Sequence, residues 1–321
     1  MKQKIYAFLL VLGMLMLLPV RALAAGLLVP GGQLIALELR NDTVTVAAFD
    51  EVLGEQARSA GLRTGDVIEK IDGKAVSSAA DVKEALETCG EKLQLTVLRG
   101  SRRQTLSMTP CETAQGKKLG IYLRQGIAGV GTVSFYDPES GKFGTLGHGV
   151  SDSGGRILQM QTGQAWDAGI LSVKKGTAGD PGQLRGNAGS NPIGELYRNT
   201  PQGVFGTCSL SFPGEPIPTA DYGEVETGPA VIRCTVDSKG IQEYSVEILK
   251  IYPERDSDCR NFLLKITDPA LLAATGGIVQ GMSGSPIIQD GKLVGAVTHV
   301  LVNDPTRGYG IFIENMLDAA G

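Results

Sequence analysis

Glycine residues interrupt the sequence at short intervals, and this limits the folds that the chain can adopt. Of 321 residues, 44 are glycine and only 5% are aromatic. Short apolar runs separated by Gly, Pro, Asn and Asp are typical of antiparallel strands joined by turns. This pattern fills the chain from Leu119 onward, and helical patterns return only at 269–274 and 313–317. We therefore expect a mainly β protein, with enough hydrophobic residues for two domains.

The charge and cysteine content exclude several classes of protein. A net charge of −4 and a pI near 5.4 give no basic surface for nucleic acid. Five cysteines, an odd number without C-x-x-C spacing, indicate neither a zinc site nor a redox pair. None lies in a glycine-rich loop, which disfavours a cysteine nucleophile. We expect no metal and no cofactor.

The first 25 residues have the layout of an export signal. Lys2 and Lys4 precede an apolar run over 5–20, and small residues follow at 22–25. The apolar run is shorter than the ~20 residues of a transmembrane helix. We expect an exported chain whose segment 1–25 is a cleaved signal or an anchor.

Residues 27–112 read as a separate β module. Turn residues and short strands alternate over 59–76, and Ser78 with Asp81 forms a capping-box start for a helix. The alternation at 93–97 predicts a strand with one buried face. The polar segment 114–118 predicts the boundary to a second domain over 119–321.

The loop 281–286, GMSGSP, carries the chemistry in this second domain. Its glycines allow a tight turn that presents the Ser283 hydroxyl, with backbone N–H groups converging where an oxyanion would form. We interpret Ser283 as a nucleophile, with the N–H groups of Gly281 and Ser283 as the oxyanion hole. The alternative is an ordinary Gly/Ser hairpin loop.

A serine nucleophile needs a base, and the chain has two histidines. His148 lies between glycines after a strand-like run, and a turn position suits a base. His299 lies in the strand after the serine, which is typical of a cleft wall. We therefore predict His148 as the base.

These motifs resemble those of a known family. LGHG at 146–149, GMSGSP at 281–286, and the tail from Val297 to the GYG at 308–310 resemble the SpoIVB peptidases, sporulation serine proteases. The serine loop is also similar to the Gly-x-Ser-Gly-Gly-Pro loop of chymotrypsin-like proteases, with Ser285 at the second glycine. The resemblance implies a chymotrypsin-like β double barrel, with His148 and Ser283 on facing barrels.

The third member of a catalytic triad stays open among five aspartates, and spacing does not choose between them: Asp152, Asp167, Asp237, Asp268 and Asp304. The SpoIVB resemblance implies Asp268, fifteen residues before the serine, which is also ordinary Asp-Pro turn chemistry. Thr298, His299 and Tyr309 are expected to line the cleft.

The module at 27–112 resembles a PDZ domain, most clearly from Gly61 to Gly73. PDZ domains bind a peptide as an added strand beside a carboxylate-binding loop. The matching loop would be Gly31, Gly32, Gln33 and Leu34, which departs from the usual Gly-Leu-Gly-Phe. The alternative is a purely structural module.

The resemblance implies an exported, self-cleaving serine endopeptidase acting in sporulation, between the forespore and mother-cell membranes. Its expected protein substrate is an extracytoplasmic regulator of a membrane-embedded protease, whose cleavage triggers sigma-factor processing. The other expected partners are the chain itself and a PDZ peptide ligand. Two alternatives remain, an inactive PDZ-bearing scaffold or sensor and an exported esterase.

Overall fold

A computed structural model describes residues 26–152, 155–208, 212–253 and 259–321. The predicted export segment 1–25 lies outside the described residues. Within the described ranges, no helix combines the length and the apolar character needed to cross a membrane.

The described part of the chain begins with two strands of the first barrel's sheet and continues into the predicted PDZ module. The elements up to residue 124 are β1 (Leu27–Pro30), β2 (Leu34–Arg40), β3 (Val44–Phe49), α1 (Glu55–Ser59), β4 (Val67–Ile71), β5 (Lys74–Ala75), α2 (Ala79–Thr88), β6 (Leu93–Arg99), β7 (Arg102–Met108), β8 (Cys111–Thr113), β9 (Gly116–Lys118) and β10 (Ile121–Arg124).

The module from β3 to β10 is an antiparallel sheet in the order β10-β3-β4-β6-β7, with β5 beside β4. Ser78 caps α2 through the Asp81 N–H, and the Asp81 carboxylate accepts from the Ser78 N–H, so the predicted capping box is present. The helix buries Val82, Ala85 and Leu86 against the sheet.

The first barrel is completed by strands that follow the module. They are β11 (Ile127–Tyr136), β12 (Lys142–Thr145), β13 (Thr162–Lys174), β14 (Gln183–Thr200), β15 (Gly203–Cys208) and the short β16 (Ile217–Pro218). The ring β12-β15-β14-β13-β2-β11 closes because β11 also pairs with β12. Its core contains Val133, Phe143 and Val204.

The second barrel comes from the last third of the chain. A 3-10 turn (Tyr222–Glu224) leads to β17 (Gly228–Thr235), β18 (Ile241–Ile251), β19 (Phe262–Ile266), α3 (Pro269–Thr275), β20 (Pro286–Gln289), β21 (Lys292–Leu301), β22 (Asp304–Phe312) and α4 (Ile313–Ala320). The strands close in the order β17-β18-β19-β22-β21-β20, so the predicted mainly β double barrel is confirmed.

Local sequence explains the turns that shape this barrel. Asp290 and Gly291, at φ 50° and 75°, form the two-residue hairpin between β20 and β21, which is the Asp-Gly turn that matches strand twist. Gly276, at φ 76°, ends α3 as a left-handed cap.

The domains are interleaved rather than consecutive. β2 and β11 are hydrogen-bonded neighbours, with Leu39 opposite Ile127, so the PDZ module is inserted between two adjacent strands of the first barrel. The chain returns at Gly126, φ 96°, where a Cβ would lie 2.1 Å from the Leu39 carbonyl oxygen. The predicted module start at 27 is therefore too early, since 27–40 belong to the barrel.

The predicted boundary at 114–118 also falls inside the module. Cys111–Thr113 and Gly116–Lys118 pair as a hairpin, and β10 after it pairs with β3. A polar segment at the tip of a hairpin has the composition of a linker, and only the long-range pairing distinguishes the two. Cys89, Cys111 and Cys234 are free thiols.

Candidate active site

The serine loop, defined here as residues 280–285, enters β20 at the mouth of the second barrel. Gly281 and Gly284 adopt φ 98° and 96°, where glycine is favoured. A Cβ on Gly284 would also lie 2.0 Å from the Thr132 carbonyl oxygen, so the loop packs directly against the first barrel. Ser283 is half-buried, and its hydroxyl donates to the Thr298 carbonyl oxygen over 2.8 Å.

A cleft of about 410 Å³ between the barrels brings the predicted nucleophile and base together. Its first-barrel wall includes Leu37, Leu39, Ile127, Gly129, Val130, Leu146, His148 and Val150, and its second-barrel wall includes Val279, Gln280, Gly281, Ser283, Thr298, His299 and Val300. Ser283 and His148 lie 135 positions apart in the sequence but share this cleft. The geometry therefore accommodates an acyl-transfer site.

The hydrogen bonding of His148 prepares it to accept a proton. Its Nδ1 lies 3.0 Å from the Gly149 carbonyl oxygen, and because a carbonyl only accepts, Nδ1 carries the hydrogen in the neutral ring. Nε2 is then the basic nitrogen. Burial lowers the pKa of His148 below its usual 6.5, outweighing the carbonyl contact, so the ring is neutral at pH 7.

Each of the five candidate aspartates has its own local partner. Asp152 pairs with Arg156, Asp167 with Asn191, Asp237 with Lys239, and Asp304 with Thr306 and Arg307. Among the described residues, Asp167, Asp237, Asp268 and Asp304 form no hydrogen bond with the His148 imidazole.

Asp268 is the N-cap of α3. Its Oδ1 accepts from the N–H groups of Ala270 and Leu271, and Pro269 occupies the first helical position. The described cleft-lining residues do not include Asp268. The structure thus gives this carboxylate a capping role, and the predicted triad role has no contact to support it. The sequence signal for this capping role was the Asp268-Pro269 pair, which is ordinary turn chemistry.

The predicted lining residues divide into two groups. Thr298 and His299 line the cleft as expected. Tyr309 lies opposite His299 in the β21–β22 register, and its ring packs under the Arg260 guanidinium at 5.3 Å rather than lining the described cleft.

The predicted PDZ ligand loop is in the wrong domain. Gly31 and Gly32 donate to the carbonyl oxygens of Ser134 and Val133 in β11. Residues 31–33 connect β1 and β2, and Leu34 is the first residue of β2, so all four belong to the first barrel and cannot receive a peptide on the PDZ sheet.

The edge of the PDZ sheet offers another position for an added strand. β10 pairs only with β3 in the sheet order, so its outer side is an edge. It follows Gly120, at φ 70°, where a Cβ would lie 2.1 Å from the Leu53 carbonyl oxygen. The sequence signal was Leu119-Gly120 before the alternating run at 121–124.

Comparison with known proteins gives matches to both parts of the chain. Residues 115–317 match the family described as SpoIVB peptidase S55, and residues 34–109 match the PDZ domain. The serine protease HTRA1 of Xenopus tropicalis is 43% identical over 56 residues, which cover 17% of this chain and 12% of that protein. The mitochondrial serine protease HTRA2 of Drosophila erecta is 31% identical over 70 residues, 22% of this chain and 17% of that protein.

The chain therefore spans less than a fifth of the length of these curated relatives. Among solved structures, the Rv3671c protease of M. tuberculosis in its active form aligns with a TM-score of 0.36 and 15% identity, covering 61% of this chain and 75% of that one. Its inactive form aligns with the same TM-score and 14% identity, covering 59% and 82%.

Proposed function

Since the chain belongs to the SpoIVB peptidase S55 family, we propose that it is an exported serine endopeptidase using Ser283 as nucleophile and His148 as base. The observation that supports the proposal is the shared cleft between the barrels, which is lined by Ser283, His148 and Gly281.

In the proposed reaction, the Ser283 hydroxyl leaves the Thr298 carbonyl and turns toward His148. Nε2 takes the hydroxyl proton as Oγ attacks the scissile carbonyl. The imidazolium then protonates the leaving amine, and water hydrolyses the acyl-enzyme. The two N–H groups stabilise the oxyanion. The Gly149 carbonyl fixes the imidazole tautomer.

The substrate is a protein, because a PDZ module accompanies the protease barrels. We place peptide capture at the outer side of β10, where main-chain groups can pair with an added strand. The family name supports a sporulation role, with an extracytoplasmic regulator of a membrane-embedded protease as substrate. Self-cleavage before β1 is part of the same proposal, and β1 begins with the exposed Leu27.

The test follows cleavage of the purified chain and of an added unfolded protein, casein, with Ser283 intact and in Ser283→Ala. We expect the intact protein to shorten near residue 26 and to degrade casein, and Ser283→Ala to do neither. Equal cleavage by both proteins would remove Ser283 as nucleophile. Absence of cleavage in both would favour the alternative of an inactive scaffold. The hydrogen bond from the Ser283 hydroxyl to the Thr298 carbonyl would then be a purely structural contact.

A further inference from the structure

The backbone of the serine loop is held by a nearly complete set of hydrogen bonds. The Gln280 carbonyl accepts from the Leu184 N–H at 2.8 Å, and the Ser283 carbonyl from the Thr132 N–H at 3.0 Å. The Met282 N–H donates to Val279, and the Gly284 N–H donates to Val297. Most polar groups of the loop are therefore fixed by neighbours.

Two buried hydroxyls hold two more carbonyls of the loop, those of Gly281 and Met282. The Thr132 Oγ1 donates to the Gly281 carbonyl oxygen over 2.8 Å, and the Ser285 Oγ donates to the Met282 carbonyl oxygen over 2.6 Å. Both side chains are 0% exposed. Solvent water therefore does not compete with either hydroxyl for its carbonyl.

Two N–H groups of the loop remain unused. Among the described residues, the N–H groups of Gly281 and Ser283 donate no hydrogen bond. They are the two predicted oxyanion donors, and both residues line the cleft.

The carbonyl contacts determine where these donors point. In a trans peptide the C=O and the following N–H point to opposite sides. Holding the Met282 carbonyl therefore directs the Ser283 N–H, and holding the Gln280 carbonyl directs the Gly281 N–H. The peptide between these two, whose carbonyl Thr132 holds, sets their relative orientation.

We propose that Thr132 and Ser285 are positioning residues that aim the oxyanion N–H groups of Gly281 and Ser283 into the cleft. This inference rests on the proposed function. Thr132 lies in β11 of the first barrel, so the oxyanion hole of the second barrel is completed by its neighbour. The Thr132 backbone carbonyl accepts a separate hydrogen bond from the hydroxyl of Thr145, which lies three residues before His148.

The positioning role of Ser285 would explain why the serine loop departs from the Gly-x-Ser-Gly-Gly-Pro sequence of chymotrypsin-like proteases. It occupies the position of the second glycine in the chymotrypsin-like loop, and a glycine has no hydroxyl to offer the Met282 carbonyl. That carbonyl would then keep only the Ser285 backbone N–H, at 3.0 Å.

The experiment measures covalent labelling by a fluorophosphonate. In this reaction the Ser283 Oγ–P bond forms, the P–F bond breaks, fluoride leaves and the hydroxyl proton passes to His148. The phosphoryl oxygen occupies the oxyanion hole, so the limiting labelling rate reports on donor alignment and KI on initial binding. The variants are Thr132→Val, Thr132→Ser and Ser285→Ala.

Two controls remove comparable hydroxyls elsewhere. Thr235→Val deletes another threonine contact between the barrels, to the Gly32 carbonyl. Ser134→Ala deletes a buried serine hydroxyl that has no partner among the described residues. Thermal melting of every variant reports folding.

We expect Thr132→Val and Ser285→Ala to lower the limiting rate about ten- to a hundredfold, somewhat less than the loss of a whole donor, with KI changed less than about threefold. Thr132→Ser and both controls should keep the rate. Limiting rates equal to that of the intact chain in Thr132→Val or Ser285→Ala would overturn the inference while leaving the proposed function in place. Equal losses in the controls would overturn it as well.

If Thr132→Val does not fold, Ser285→Ala decides alone. If the intact chain is not labelled, the proposed function and this inference fail together, and that outcome is distinct from a labelled chain with insensitive variants.

Discussion

The imidazole rings of His148 and His299 lie with their centroids 5.1 Å apart and their planes at 36°. One comes from each barrel, and both line the cleft that holds Ser283. The pair places two titratable rings at the proposed nucleophile, so the choice of base becomes an experimental question. The Gly149 carbonyl favours His148, because it fixes the tautomer with Nε2 as acceptor.

Replacing the two histidines separately should identify the base. We expect His148→Gln to lower hydrolysis by on the order of 10²–10⁴, the usual range for general-base catalysis. His299→Gln should lower it less than about tenfold, since His299 is expected to form the wall. Initial rates of casein cleavage measure both. A larger loss in His299→Gln would reverse the assignment.

The activity should depend on pH through a histidine with a low pKa. Burial lowers the pKa of His148 from 6.5, so the neutral form persists below pH 6.5. A general base acts in its neutral form, and the rate should therefore stay high above the lowered pKa and fall as the pH drops through it. Labelling rates from pH 4 to 8 should give an acidic midpoint below 6.5. A midpoint at or above 6.5 would contradict burial as the dominant influence.

Asp268 can be tested as a helix cap against its predicted role in a triad. Asn also caps helices, so Asp268→Asn should keep both stability and activity, whereas Asp268→Ala should lose about 1 kcal/mol of unfolding free energy. A triad acid would instead lose on the order of 10⁴ in turnover on replacement by Asn. Urea unfolding with parallel casein assays separates these roles. A large loss of activity in a stable Asp268→Asn protein would restore the triad assignment.

The Asp66–Arg99 ion pair should stabilise the inserted PDZ module. Asp66 is 1% exposed and receives two bonds from the Arg99 guanidinium and one from the Arg63 N–H. Removing one partner of a buried pair costs about 3–5 kcal/mol, so Asp66→Ala should sharply lower the unfolding free energy.

The matched control is Glu69→Ala, which removes a pair whose Arg103 side chain is 73% exposed. It should cost less than about 1 kcal/mol. Chemical denaturation followed by circular dichroism compares the two variants. Similar losses of unfolding free energy in both variants would show that burial does not make the Asp66–Arg99 pair more stabilising than the exposed pair.

The sequence predicted those features that depend on local chemistry. Turn residues indicated the β class, Ser78 and Asp81 indicated a helix start, and the glycines at 281 and 284 indicated the loop that presents Ser283. The insertion of the PDZ module was not visible, because β2 and β11 are neighbours only through pairing across 86 intervening residues.

The same limit applies to the site. Thr132 lies in an ordinary strand pattern, and nothing nearby in sequence marks its contact with Gly281, 149 positions away. Gly31 and Gly32 resembled a ligand loop because their composition suits any tight turn. The triad role of Asp268 was predicted from the family resemblance alone. Its neighbours Pro269 and Ala270 instead indicated the start of a helix that Asp268 caps.

The most direct test of the account is fluorophosphonate labelling of the intact chain and of Ser283→Ala, with the modified residue located by mass spectrometry. We expect one labelled site, Ser283, in the intact chain and no label in Ser283→Ala. A label that persists in Ser283→Ala, or an intact folded chain that takes no label, would contradict the proposed serine peptidase.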